Sequence, residues 1–141
     1  MSTAPLPGIT VEGMAPLFEV FDMPSSLLFY RDMLGFILVD QSQPELKDDC
    51  DWAMLRLNDA VLMLNTAYER QSRPASADPR RVAAHTDTSA FFGCPDVEAA
   101  YQYLLSKGVD VKNPITTKYG WKAIYINDPD GYSLCFHWPA K

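Results

Sequence analysis

Residues 18–39 read FEVFDMPSSLLFYRDMLGFILV, and residues 91–111 read FFGCPDVEAAYQYLLSKGVDV. The two stretches follow one plan: an apolar strand-like run, an aspartate, an apolar-striped helix, a glycine and a second strand-like run. Asp22 and Asp96 are predicted to cap the helices, and Gly35 and Gly108 to follow their last turns. Aspartate is favoured at a helix N-cap and glycine just past the C-terminus. The sequence therefore predicts two copies of a strand, helix, strand unit.

Further strand candidates complete each copy. Residues 51–57 and 60–67 are joined at Asn58 and Asp59, a pair typical of a hairpin turn. In the second half, residues 109–114, 120–127 and 132–138 are predicted as strands, with Asp128-Pro-Asp-Gly131 as the turn between the last two. We predict an α+β fold of two βαβββ modules in one domain, 1–141. Module one covers about 12–67, a linker rich in Arg, Ser and Pro covers about 68–84, and module two covers about 85–139.

Composition narrows the class of protein. The chain has 141 residues, 48% of them hydrophobic, and a formal net charge of -6, so it can bury one core and is a poor match for a polyanion. We expect no nucleic-acid partner and no membrane partner, because no apolar run approaches the length of a membrane span. Residues 1–10 lack the features of a signal peptide, and the three cysteines have no metal-type spacing. These features predict a cytoplasmic protein without disulfides.

Three segments in this order resemble the vicinal oxygen chelate superfamily, which includes glyoxalase I, extradiol dioxygenases, fosfomycin-modifying enzymes and bleomycin-resistance proteins. They are FYRDMLGF at 29–36, DVEAAYQYLLSKGV at 96–109 and DPDGYSL at 128–134. The resemblance implies mixed sheets that curl around a cavity, and it implies a homodimer. In metal-dependent members, four inward side chains, normally His or Glu, hold one divalent ion.

The four corresponding positions fall on Ala15, Met63, Ser89 and Cys135. A divalent ion needs three or four N, O or S donors, which this set cannot supply. We therefore expect no metal and no other cofactor. A displaced site of Glu19, Cys135 and His137 is the alternative.

Residues that share strand parity with those positions are expected to line the cavity. The set is aromatic and sulfur-rich, which suits an organic ligand that is planar or cationic. The predicted ligand-binding residues are Trp52, Met54, Arg56, Met63, Phe91, Trp121, Tyr125, Cys135 and His137. His137 and Glu19 are the candidates for acid or base catalysis. Arg56 is expected to pair with Glu19 or with an anionic ligand, and His85 to be solvated.

Three functions remain open at this point. The first is a metal-independent protein similar to the bleomycin-resistance branch, which sequesters a small organic molecule and confers antibiotic resistance. The second is a glyoxalase-like or dioxygenase-like lyase or isomerase with non-standard site residues. The third is a structural or regulatory partner without a small ligand. The absence of His and Glu from the four metal-ligand positions favours binding over catalysis.

Overall fold

The structure is a computed structural model that describes residues 8–140. Residues 1–7, on which much of the signal-peptide prediction rests, lie outside the described part. Module one contains four strands, β1 Leu17–Val20, β2 Ile37–Gln41, β3 Trp52–Leu57 and β4 Ala60–Thr66. Module two contains β5 Ser89–Gly93, β6 Ile115–Thr116, β7 Trp121–Asn127 and β8 Ser133–Pro139. No helix in the described range is long and apolar enough to cross a membrane.

The two predicted helix caps are confirmed. The Asp22 side chain accepts a hydrogen bond from the Ser25 amide at the start of helix α1, Met23–Leu27. This helix continues without a break as a turn of π-helix, Leu28–Met33. Asp96 accepts from the Ala99 amide at the start of the module-two helix, Val97–Ser106. The spacing of the apolar residues did not predict the π-helical turn, because it is compatible with an α-helix and with a π-helix.

Each module forms its own mixed sheet. The strand orders are β1-β4-β3-β2 and β5-β8-β7-β6, and in both sheets the first strand runs parallel to the last strand of its module. The predicted hairpin at residues 58–59 is confirmed, because Leu57 pairs with Ala60. This repeated pattern confirms the α+β fold of two βαβββ modules.

The sixth strand differs from the prediction. It is the two-residue β6, and residues 109–114 form no strand. Val109 is buried in the hydrophobic core, which holds the start of this segment away from the edge of the sheet. Pro114 has no N–H to donate to a neighbouring strand.

The helix-facing sides of the two sheets join in one hydrophobic core. Leu55, Leu64 and Leu134 are fully buried there. Phe36 from module one meets Phe92 from module two edge to face, with 6.1 Å between ring centroids. The opposite sides of both sheets carry partly or largely exposed side chains, among them Leu17, Met54, Phe91 and Tyr125, and are called here the open faces.

The predicted linker has more structure than its composition indicated. It contains a 3-10 turn, Arg70–Ser72, and a helix, Pro79–His85, which is called α2. The module-two helix, Val97–Ser106, is therefore called α3. Asp78 caps α2 by accepting from the Arg80 amide, and Pro79 occupies the first turn. Asp followed by Pro is a helix-start signal. The Arg- and Pro-rich composition around it concealed that signal.

Candidate functional site

Four of the predicted ligand-binding side chains meet on the open face of the second sheet. His137 lies between two aromatic rings: its ring centroid is 5.4 Å from that of Phe91 and 4.8 Å from that of Trp121, both in edge contacts. Tyr125 contacts Phe91 from the other side at 6.5 Å. Phe91, Trp121, Tyr125 and His137 are called here the aromatic face. The strand register brings them together, because Phe91 and Tyr125 both pair with Cys135 on the central strand β8.

The rings of the aromatic face are open to solvent. Phe91 is 60% exposed, Tyr125 43% and Trp121 38%. Beneath them, Ala123 and Cys135 are almost fully buried and form an apolar floor. Large rings that stand on a rigid sheet and keep this much surface uncovered are typical of a contact site for another molecule.

The predicted residues of module one form a second group on the open face of the first sheet. Met54 pairs directly with Met63 across β3 and β4, and Leu17 pairs with Met63 from β1. Trp52 and Met54 are half-buried, whereas Arg56 is exposed. The predicted alternation of β3 is confirmed, since Ala53 and Leu55 are fully buried on the helix side.

The expected ion pair between Arg56 and Glu19 is wrong. Arg56 pairs with Val61 on β4, whereas Glu19 pairs with Asn65 on the same strand. Four residues of strand separate the two positions by about 13 Å. Parity alone placed both residues on one face, but only the register reveals this distance. Arg56 forms no ion pair within residues 8–140.

The two groups lie on the separate open faces of the two sheets, and the sequence left open whether one chain or two enclose the predicted cavity. Within the described residues, no hydrogen bond, ion pair or aromatic contact joins Trp52, Met54, Arg56 or Met63 to the aromatic face. A groove with a volume of about 910 Å³ lies elsewhere, between the β3–β4 turn, the end of β5 and helix α3. Phe91 is the only predicted ligand-binding residue that lines it.

Cys135 is unsuited to act as a nucleophile. It is fully buried, and this burial raises the pKa of its thiol. Burial also raises the pKa of the Tyr125 hydroxyl, with the neighbouring Cys135 as a smaller cause. His137 lies two residues from Cys135 along β8, a spacing of about 6 to 7 Å. The aromatic face therefore offers packing surface and one imidazole, without an activated thiol.

The prediction that His85 is solvated is wrong. Its Nδ1 lies 2.8 Å from the carbonyl oxygen of Asp130, and its ring stacks on Tyr132 at 4.1 Å. Tyr132 in turn stacks on Phe18 of module one, also at 4.1 Å. Sequence analysis had no means to find this stack, because its three rings come from residues far apart in the chain.

Sequence analysis also missed a buried polar cluster at the turn between β7 and β8. Asp128 accepts hydrogen bonds from the Tyr30 hydroxyl at 2.6 Å and from the amides of Asp130 and Tyr132 at 2.9 Å. Burial, opposed by these bonds, raises the pKa of Asp128 to about 6. Burial and the nearby Asp128 raise the pKa of Tyr30 well above its usual range. The DPDG turn was predicted, but its contact with the π-helical turn after α1 was not.

Comparison with known proteins identifies the family. A model of the Glyoxalase/Bleomycin resistance protein/Dioxygenase superfamily matches residues 17–136. The chain belongs to this superfamily. No curated protein matches the chain significantly.

Several solved structures share the superfamily fold. A bleomycin-binding protein complexed with bleomycin is 19% identical, with a TM-score of 0.68 over 90% of this chain and 98% of that one. A glyoxalase/bleomycin resistance protein/dioxygenase from Nocardioides is 16% identical, with a TM-score of 0.70 over 95% and 87%. The bleomycin-binding protein from Streptomyces verticillus, complexed with copper(II)-bleomycin, is 20% identical, with a TM-score of 0.63 over 95% and 99%. At these identities the likeness shows the fold.

The superfamily's metal positions are chemically unsuited to a metal in this chain. The register places Leu17 directly opposite Met63 and Phe91 directly opposite Cys135, two residues along from the predicted positions Ala15 and Ser89. Neither Leu17 nor Phe91 carries a donor atom. Within residues 8–140, no three His, Cys, Asp or Glu side chains are grouped to hold an ion, and the alternative set of Glu19, Cys135 and His137 forms no such group.

Proposed function

We propose that this protein binds a small organic molecule, planar and aromatic or cationic, on the aromatic face, and that it does so without a metal. The observation that carries the proposal is the group of exposed rings around His137. Covering such rings with a ligand removes apolar surface from water, at about 25 cal/mol per Å².

The shape and chemistry of the aromatic face support the proposed ligand class. Three rings in edge contacts offer their faces to a flat molecule, and π faces also attract organic cations. His137 adds a hydrogen-bonding group among them. The overall charge of -6 favours the approach of a cation over that of an anion.

Bleomycin is the first ligand to test, since two structural neighbours are complexed with it. If the protein sequesters such a drug, its expression in a sensitive host should confer antibiotic resistance. We retain the prediction that the protein acts in the cytoplasm, where it would meet a drug that has entered the cell.

Intrinsic fluorescence tests the location of the site. Trp121 lies on the aromatic face, whereas Trp138 is the next residue after His137 and points to the other side of β8. The third tryptophan, Trp52, is replaced by Phe in both variants, so that each keeps one tryptophan. In a titration with metal-free bleomycin or a cationic aromatic dye, we expect saturable quenching in Trp138→Phe and a strongly reduced signal in Trp121→Phe. Equal quenching in the two variants, or no saturation with either ligand, would reject the proposed site.

We also propose a homodimer. The open faces of both sheets leave large apolar side chains uncovered in the single chain, among them Leu17 at 45% and Phe91 at 60% exposed. A second copy would bring a module-one face against a module-two face, and so unite the two predicted groups of ligand-binding residues in one cavity. Light scattering coupled to gel filtration should give twice the mass of the chain, whereas the mass of one chain would contradict this proposal.

An enzyme is the second candidate function, and the position of His137 favours it. Its imidazole stands on the exposed aromatic face, within reach of a bound ligand, and histidine is the side chain most often used in acid or base catalysis. Glu19 is the other candidate, on the open face of the first sheet. A substrate screen that finds turnover, followed by its loss in His137→Ala but not in Trp138→Phe, would establish an enzyme that uses His137 as acid or base. Turnover that survives His137→Ala would remove His137 from that role.

A further inference from the structure

Helix α2 contacts the β7–β8 turn through two side chains, Arg81 and His85. The Arg81 guanidinium donates from Nη1 to Oδ1 of Asp130 at 2.8 Å and from Nη2 to the backbone oxygen of Glu19 on β1. The His85 ring covers Tyr132 and reaches the Asp130 carbonyl. Two residues of the linker thus hold one turn of module two and one strand of module one together.

The same turn is bonded directly to β1. The Glu19 amide donates to the Tyr132 hydroxyl at 3.2 Å, and the Phe21 amide donates to Oδ1 of Asp130 at 2.8 Å. Arg81 therefore completes a junction of three chain segments. Glu19 and Leu17 stand on β1, so this junction sets where the first sheet's open face lies relative to module two.

Helix α2 is attached by polar and stacking contacts, and none of its seven residues is buried. An element with no buried side chain opens at a lower free energy than the core to which it is attached. Its fit is nonetheless close: a Cβ on Gly131 would lie 2.3 Å from the carbonyl oxygen of Val82 in α2. The helix is therefore held in one position but bound weakly enough to release.

Opening of α2 would leave buried negative charge without a cation. Asp130 is 2% exposed, and within residues 8–140 its only ion-pair partner is Arg81. The neighbouring Asp128 is also buried, and this burial raises its pKa, with the charge of Asp130 as a smaller cause. The other titratable groups around the pair are the hydroxyls of Tyr30 and Tyr132 and the imidazole of His85.

We propose that the linker helix is a latch, which Arg81 and His85 close on the β7–β8 turn and whose opening loosens the contact between this turn and β1. The latch would regulate any ligand site that needs both open faces, but it can be measured with no ligand present and so does not depend on the proposed function.

Amide hydrogen exchange in the full chain, followed residue by residue by NMR, tests the latch. Arg81→Met removes the charge and keeps much of the volume, and Arg80→Met is the matched control, because Arg80 is exposed and its ion pair is with Asp78 in its own turn. At pH 7.5 we expect exchange at Glu19 and Phe21 to accelerate about tenfold or more in Arg81→Met, with β7 amides unchanged. Arg80→Met should match the wild type.

A second variant keeps the test decisive. His85→Phe keeps a ring on Tyr132 but loses the bond to Asp130, so it should accelerate exchange at the same two amides by a smaller factor, and it replaces Arg81→Met if that variant does not fold. Unchanged exchange at Glu19 and Phe21, or equal acceleration throughout both modules, would overturn the latch.

Discussion

Aromatic rings serve opposite purposes at the module junction and on the aromatic face. At the junction, Tyr132 stacks on Phe18 and on His85 with ring centroids 4.1 Å apart in both pairs. On the aromatic face, Phe91 and Trp121 make only edge contacts with His137 and keep much of their surface in water. Covered and stacked rings stabilise the fold, whereas exposed rings are available to a ligand.

Polar groups follow the same division. Within the described residues, no buried side-chain nitrogen or oxygen lacks a hydrogen-bond partner. At the junction, the carboxylates of Asp128 and Asp130 accept the hydrogen bonds of Tyr30 and Arg81. On the aromatic face the only titratable nitrogen is that of His137. Substitutions at the junction should therefore change stability, and substitutions on the aromatic face should change binding.

The largest loss of stability is expected from Asp128→Ala. It leaves the buried Tyr30 hydroxyl and the amides of Asp130 and Tyr132 without their acceptor. We expect the free energy of unfolding in urea at pH 7.5 to fall by about 3 to 5 kcal/mol. Asp87→Ala, at an exposed position, is the control and should change it by less than about 0.5 kcal/mol. Equal effects would show that the junction does not hold the modules together.

A smaller loss is expected from Gly131→Ala. Gly131 has a φ of +90°, and an added Cβ would meet the backbone of α2 at 2.3 Å. Gly120 has a similar φ of +84° but open space around it, so Gly120→Ala reports the cost of the backbone conformation alone. We expect about 3 kcal/mol for Gly131→Ala and about 1 to 2 kcal/mol for Gly120→Ala in urea unfolding. If the two costs are equal, α2 does not pack on the turn.

The pH dependence of the junction should be smaller still. The pKa of Asp128 is raised to about 6, so between its unfolded pKa and pH 6 the folded state binds the proton more tightly. This contribution to stability is present at low pH and is lost as the pH rises through 6. Relative to Asp128→Asn, the wild type should lose about 2 kcal/mol between pH 4.5 and 7.5. The comparison with Asp128→Asn cancels the contribution of other carboxylates to the pH dependence of stability, such as that of Asp48, whose pKa is lowered by Arg31. A difference that stays constant or grows with pH would contradict the assignment.

Local signals in the sequence were sufficient for the modules. The caps at Asp22 and Asp96 and the turn at residues 58–59 depend on neighbours within a few positions, and all three are confirmed. The helix α2 also had a local signal at Asp78 and Pro79, which the surrounding composition masked.

Long-range geometry was beyond the same reasoning. Arg81 and Asp130 are 49 residues apart, and their meeting depends on how the modules pack. Strand parity grouped the aromatic face correctly, but it could not show that Arg56 and Glu19 occupy distant rows of one sheet. Nor could parity show whether one chain or two enclose the predicted cavity.

Binding by chelator-treated protein tests the central claim most directly. Isothermal titration with metal-free bleomycin and with a cationic aromatic dye should show saturable binding of at least one ligand to the wild type. Phe91→Ala should weaken that binding about tenfold, because it removes the most exposed ring of the aromatic face, and should change the free energy of unfolding by less than about 0.5 kcal/mol. Binding that requires added metal, or that is equally tight in Phe91→Ala, would contradict a metal-free ligand site on the aromatic face.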